Sequence, residues 1–181
     1  MKVHVTAGWL GASLSHHVFD LGVASIHNTA GESNCWWIYN TELGRIDEPV
    51  FLFTCDNQTR IDLAAVEADY FDLGAPPNMV IPVDRNLAIE GDFVAADTES
   101  RVTALGPDVE SDLCCSGMQV INLAEVRRTT TEPESFRGVW TQLMETRSLA
   151  MSRVQPSSWA AVDTWDQLKT FAAENPPETL P

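Results

Sequence analysis

Residues 50–55, Val50-Phe51-Leu52-Phe53-Thr54-Cys55, form a continuous apolar run that stops at Asp56. A strand that is apolar on both faces must be covered on both, which suits a sheet sandwiched between helices. A second such run, 79–83, follows Pro76-Pro77. Between the two, residues 62–73 place Leu63, Val66, Tyr70 and Leu73 on one side of a helix that Gly74 stops. Strand, helix, strand in this order predicts an α/β fold.

The flanking sequence extends the pattern. Residues 3–7 and 23–27 read as strands, with a helix over 12–20 between them. A helix is expected over 33–43, closed by Gly44. Residues 56–60 read as a polar loop. Residues 92–96 and 101–105 read as a hairpin across 97–100. A strand over 114–122, a short helix over 123–128 and a helix over 135–146 come next. Short strands are expected at 151–154 and 159–162, with a last helix over 164–174. Thr164 with Gln167 has the spacing of a capping box, which marks a helix start. No repeat or linker divides the chain, so a single domain is expected over 1–175, with a frayed tail at 176–181. The sheet is expected to be mainly parallel, with one mixed portion at the hairpin.

Charge removes several function classes. Asp and Glu total 26 against 11 Lys and Arg, a net charge of -15 spread along the whole chain. Such a surface repels a phosphate backbone, which argues against nucleic-acid binding. No stretch approaches the roughly 20 apolar residues of a membrane span, and the start of the chain is a poor signal peptide. Cys35, Cys55, Cys114 and Cys115 form no CxxC pair. Free thiols in a reducing, cytoplasmic setting are the expectation.

Three segments could carry chemistry, because ligands of open α/β sheets bind at the carboxyl ends of strands. The apolar run 50–55 drives into Asp56, which either begins a turn or aims a hard oxygen ligand at Mg2+. Trp159-Ala160-Ala161-Val162 ends at Asp163, which either helps to cap the next helix or supplies a second ligand to the same ion. The segment Thr29-Ala30-Gly31-Glu32-Ser33-Asn34 joins a strand to a helix N-terminus and is either a tight turn or a site for a base edge or anion. His16-His17 and the six tryptophans read as packing or surface, with Trp36-Trp37 the pair best placed to line a pocket. No GxSxG nucleophile is present.

Taken in order, these segments resemble the sugar-1-phosphate nucleotidyltransferase family, over residues 3–170. In that family a strand ends in an Mg2+-binding Asp, and Asp56 looks like it. An upstream turn lies against the base, and Thr29, Ala30 and Gly31, with Ser33 and Asn34 after them, are similar. A glycine before the hairpin lies near the sugar, and Gly91 matches its place. A Thr/Ser-Gly pair opens a later strand, as Ser116-Gly117 does. The second metal ligand follows a Trp, as Asp163 follows Trp159. The resemblance implies a three-layer Rossmann-like fold, a nucleoside triphosphate and a sugar phosphate as substrates, and Mg2+ as cofactor.

The departures from that family are also specific. Its N-terminal strand and GxGxR-type loop, which cradles the phosphates, have no counterpart here, and neither does its Glu-Lys-Pro motif. The only lysines are Lys2 and Lys169. The expectation is a relative truncated at its N-terminus. Its apolar sheet edge would then be open to a second copy or a complementing chain. Two activities remain open: Mg2+-dependent nucleotidyl transfer, or nucleotide-sugar binding without catalysis. A metal-dependent glycosyltransferase ranks last, because Cys55-Asp56-Asn57 lacks the Asp-x-Asp pairing.

Overall fold

The computed structural model describes residues 2–87 and 91–174. The tail expected at 176–181 lies outside them. In chain order the elements are β1 (His4–Ala7), α1 (Gly11–Phe19), β2 (Ser25–Asn28), α2 (Trp36–Asn40), β3 (Pro49–Phe53), β4 (Asn57–Arg60), α3 (Leu63–Asp72), β5 (Asn78–Asp84), β6 (Phe93–Ala96), β7 (Val102–Gly106), β8 (Leu113–Asn122), α4 (Leu123–Thr129), α5 (Phe136–Glu145), β9 (Leu149–Met151), β10 (Ser158–Ala161) and α6 (Trp165–Glu174). They group into two compact units. One comprises Met1–Val50 with Asn122–Thr146, and the other Phe51–Ile121 with Arg147–Pro181.

In the first unit, β1 and β2 pair in parallel, with His4 opposite Ser25 and Ala7 opposite Asn28. They form a two-stranded sheet of their own. The connecting helix α1 buries no residue. Trp9, Phe19 and Leu21 around it are 88%, 75% and 70% exposed, so this element carries apolar surface in water.

The helix expected over 33–43 is shorter. The Ser33 hydroxyl accepts the N–H of Trp36, which sets the start at Trp36. After Asn40 the chain tightens into a 3-10 turn, Glu42–Arg45, capped by the Thr41 hydroxyl on the N–H of Leu43. Helix α4 starts where the Asn122 side chain accepts the N–H of Glu125. Helix α5 borrows its cap. Ser135 supplies no side-chain bond, and the Asn34 carboxamide oxygen accepts the N–H of Phe136 at 2.8 Å. Trp37, Ile38, Leu43, Leu123, Val126, Phe136, Val139 and Leu143 are all buried.

The second unit is built on a six-stranded sheet of order β7-β6-β8-β5-β9, with β3 also pairing β8. Strand β5 is buried over its first six residues, as its apolar run requires. It pairs antiparallel with β8 and parallel with β9. The hairpin β6–β7 pairs antiparallel, and β6 joins β8 in the same sense. The chain therefore has the expected α/β architecture with a mixed sheet. Its parallel share is smaller than the apolar runs suggest, because β8 passes antiparallel between β5 and β6. Val66 and Tyr70 of α3 pack on Met79, Ile81, Met118, Val120 and Ala150 of the sheet. Asp62 caps α3 by accepting the N–H groups of Ala64 and Ala65.

Two boundaries differ in ways that matter for the site. Residues 57–60 are a strand, β4, rather than loop. The short strand expected at 151–154 lies at Leu149–Met151, and Ser152 and Arg153 instead bind Asp69 of α3. The buried Asp69 carboxylate accepts from the Ser152 hydroxyl, the Arg153 N–H and Arg153 Nε at 2.8, 2.8 and 2.5 Å. Truncation would leave buried donors without a partner, so Asp69→Ala should cost about 3 kcal/mol. In thermal unfolding followed by circular dichroism, that is a fall of roughly 6–12 °C in Tm.

All four cysteines are free, and Cys55 is exposed in the turn after β3. No helix among the described residues is long and apolar enough to cross a membrane.

Candidate functional site

Strand β3 releases the chain at Thr54. Cys55 and Asp56 make a turn, and β4 leads away. Strand β4 is polar and alternates half-buried Asn57 and Thr59 with exposed Gln58 and Arg60. It survives as a strand because β10 pairs with it antiparallel, Ala161 opposite Asn57 and Ser158 opposite Arg60. The ladder runs one step further, since the N–H of Val162 donates to the Asp56 carbonyl at 2.8 Å. Asp56 enters the ladder and Asp163 leaves it at the same end. The two aspartates, 107 positions apart in sequence, stand at the same end of this pairing.

Both aspartates are exposed, and neither carboxylate has a hydrogen-bond partner among the described residues. The helix-cap alternative for Asp163 is taken by its neighbour. The Thr164 hydroxyl accepts the N–H of Gln167 at 3.2 Å, and Gln167 Oε1 accepts the N–H groups of Asp163 and Thr164 at 2.8 Å each. This is the capping box expected from sequence, and it leaves the Asp163 carboxylate unengaged. Asp56 begins a turn, while capping of α3 falls to Asp62. No group of three or more His, Cys, Asp or Glu able to hold a metal occurs among the described residues.

A bulge in β8 holds the ladder in place. Between the pairs Val80–Gln119 and Pro82–Cys115 the register shifts, so Ser116, Gly117 and Met118 face the single residue Ile81. Pro82 has no N–H to give the ladder at this point. The Ser116 hydroxyl donates to the Ile81 carbonyl at 2.6 Å and accepts the N–H of Met118. The bulge re-aims the Ser116 carbonyl, which accepts from Asn57 Nδ2 at 2.9 Å and from Trp159 Nε1 at 3.0 Å. One carbonyl thus ties β8 to both strands of the ladder.

Gly117 has φ of +79°, and a Cβ there would lie 2.4 Å from both Thr54 Oγ1 and Asn57 Nδ2. Gly117→Ala should cost about 2–3 kcal/mol through left-handed strain and overpacking. Loss of Tm in the variant would check the cost. Amide shifts confined to Thr54, Asn57 and Trp159 would check its location.

An open cleft of about 600 Å3 adjoins the ladder, with Leu87, Trp159, Ala161, Asp163, Thr164 and Phe171 in its lining. Gly91, expected near an acceptor, stands just before β6, and a Cβ on it would meet Cys114 Sγ at 2.7 Å. Burial pushes the Cys114 and Cys115 thiols up from their ordinary range, and the nearby Asp92 adds to it, so neither is an activated nucleophile.

Most cationic side chains of this unit are engaged elsewhere. Arg153 is held by Asp69, Arg147 by Asp97 and Glu99, and Lys169 by Asp166. Arg85 lies 4.1 Å over the Phe93 ring, and Arg101 donates to the Leu73 carbonyl.

The segment 29–34 belongs to the first unit. Asn28 Oδ1 accepts the N–H of Ala30, the Glu32 N–H donates to the Thr29 carbonyl at 3.1 Å and Gly31 has φ of +86°, so Thr29–Glu32 is a tight turn after β2. Ser33 and Asn34 use their side chains as helix caps, on α2 and α5. Thr29, Ala30 and Gly31 keep no such duty; the N–H of Thr29 donates to the Ala7 carbonyl. Trp37 is buried, with its Nε1 on the Asn34 carbonyl.

No protein-family model matches the chain, and no curated protein matches it by sequence. Solved structures do match in fold. An inositol-1-phosphate CTP transferase from T. maritima superposes with a TM-score of 0.69 at 15% identity, over 96% of this chain and 74% of that one. A Bacillus anthracis protein assigned as a glucose-1-phosphate thymidylyltransferase, in complex with a sucrose, gives 0.72 at 9% identity, over 98% and 77%. HddC from Yersinia pseudotuberculosis gives 0.69 at 8% identity, over 96% and 78%. At these identities the likeness establishes a shared α/β fold.

Proposed function

We propose that this protein is a nucleotidyltransferase, which passes a nucleotidyl group from a nucleoside triphosphate to a sugar 1-phosphate or similar phosphorylated acceptor. The observation that carries this reading is the placement of Asp56 and Asp163 at the same end of the β4–β10 ladder. The fold shared with an inositol-1-phosphate CTP transferase and with a protein assigned as a glucose-1-phosphate thymidylyltransferase supports it.

Two exposed, unengaged carboxylates suit a hard cation. Mg2+ commonly takes one or two carboxylates and completes its shell with water and phosphate oxygens. Asp56 and Asp163 would hold it. When bound, it supplies charge neutralisation at the phosphates.

The chain's own residues do the positioning. The Ser116 carbonyl, through Asn57 and Trp159, fixes the ladder and so the spacing of the two aspartates. Gly91 and Gly117 are assigned to the acceptor. An oxygen of the acceptor phosphate forms a bond to the α-phosphorus, and the bond from that phosphorus to the departing pyrophosphate breaks.

A second reading, nucleotide-sugar binding without catalysis, draws on the engaged cations. Each of Arg85, Arg101, Arg147, Arg153 and Lys169 already has a partner. Arg60 stands at the far end of the ladder, opposite Ser158. A triphosphate would find little positive charge from these side chains.

The two readings separate in a pyrophosphate-release assay with each of the four nucleoside triphosphates and a panel of sugar 1-phosphates. Transfer predicts release that needs both acceptor and Mg2+ and stops on chelation. Binding alone predicts saturable nucleotide-sugar association with no release above background.

A further inference from the structure

We propose that His4 and His27 form a second metal site, on the face of the β1–β2 sheet, selective for a borderline transition-metal ion such as Ni2+, Zn2+ or Cu2+. The two rings converge on one atom. His4 Nδ1 lies 2.7 Å from the Ser25 hydroxyl oxygen, and His27 Nε2 lies 2.8 Å from the same oxygen.

The strand register produces this arrangement. His4 pairs with Ser25, and His27, two residues on in β2, pairs with Thr6. Period-two alternation puts Ser25 and His27 on one face, and His4 joins them across the ladder. Nothing in the proposed transfer reaction uses these residues.

The donor chemistry differs from that of the aspartate pair. Imidazole nitrogens suit Ni2+, Cu2+ and Zn2+, whereas Mg2+ prefers oxygen. In the hydrogen-bonded form one ring accepts from the Ser25 O–H and the other donates to it. Binding a metal through both facing nitrogens needs only a tautomer change in the donating ring, with no net proton loss at neutral pH. The ion replaces the Ser25 bridge, and water completes its shell. A cross-strand chelate also clamps a two-stranded sheet, an element of marginal stability by itself. His16 and His17, adjacent on α1, point to different sides of the helix and make no comparable pair.

The test is calorimetric titration of the full chain with NiCl2 at pH 7.5, without chelating buffer. One ion per chain is expected at the histidines, beside any held by Asp56 and Asp163, and it is weakened at least about tenfold in His4→Ala and in His27→Ala. Ser25→Ala should bind Ni2+ at least as tightly, because the competing hydroxyl is gone; a merely structural cluster would not respond in this way. Cu2+ should broaden the ring resonances of His4 and His27 before those of His16 and His17, a readout that needs no variant. Equal Ni2+ binding by the original chain and both histidine variants would overturn the proposal, as would no binding at millimolar Ni2+.

Discussion

Gly44→Ala should destabilise the chain by at least about 3 kcal/mol, lowering Tm by roughly 6–12 °C. Gly44 is buried in the 3-10 turn Glu42–Arg45. A Cβ there would sit 1.7 Å from the Ile38 carbonyl oxygen and 2.9 Å from its carbon. These are backbone atoms of a residue with no exposed surface, so no side-chain rotation relieves the clash. The turn itself is held by the Gly44 N–H on the Thr41 carbonyl and the Ile46 N–H on the Leu43 carbonyl. The chain must therefore give up the turn or the end of α2. Gly74→Ala is the control. It has a φ of +82° but open space around the added methyl, and should cost only about 1–2 kcal/mol. Parallel melts of the two variants separate steric exclusion from backbone strain.

The second large effect is on activity. Asp56→Asn and Asp163→Asn should each lower the rate of pyrophosphate release at least about 100-fold. Both side chains are exposed and form no hydrogen bond with the described residues, so stability should move by no more than about 0.5 kcal/mol. The double variant should be little slower than either single one, because two ligands of one ion act as a unit. Rates at saturating Mg2+ and nucleotide, measured beside Tm, check both halves of this expectation. A rate loss matched by a fall in Tm would assign the aspartates to the fold instead.

Asp56 stands out in the sequence because an apolar run ends on it, and the turn it begins is the other duty such an acid suits. Asp163 stands out for a related reason. The Thr164–Gln167 pattern already accounts for the start of α6, so the acid before it is surplus to the cap. What local sequence could not give was the ladder that sets both at one end. That depends on β4, whose Asn57-Gln58-Thr59-Arg60 carries no apolar signal and is a strand only because β10 pairs with it.

The same limit hides the structural bonds that other candidate residues make. Ser33 and Asn34 looked available to a ligand beside a helix N-terminus. Asn34 instead caps α5 through Phe136, a partner 102 residues away that no local pattern announces. Ser116-Gly117 looked like an acceptor-lining pair. The hydroxyl turns into the sheet toward Ile81, and the glycine is required by the approach of Thr54 and Asn57. Trp159 read as the aromatic of a motif; its indole N–H anchors the ladder to the bulge carbonyl of β8. In each case the residue types fit more than one duty, and long-range pairing selected among them.

The central claim is that Asp56 and Asp163 form one divalent-metal site, and a count of bound Mn2+ by electron paramagnetic resonance tests it directly. The account predicts one tight ion per chain, lost in Asp56→Asn and equally in Asp163→Asn, and retained in Asp166→Asn. Tight binding that survives either of the first two substitutions would contradict it.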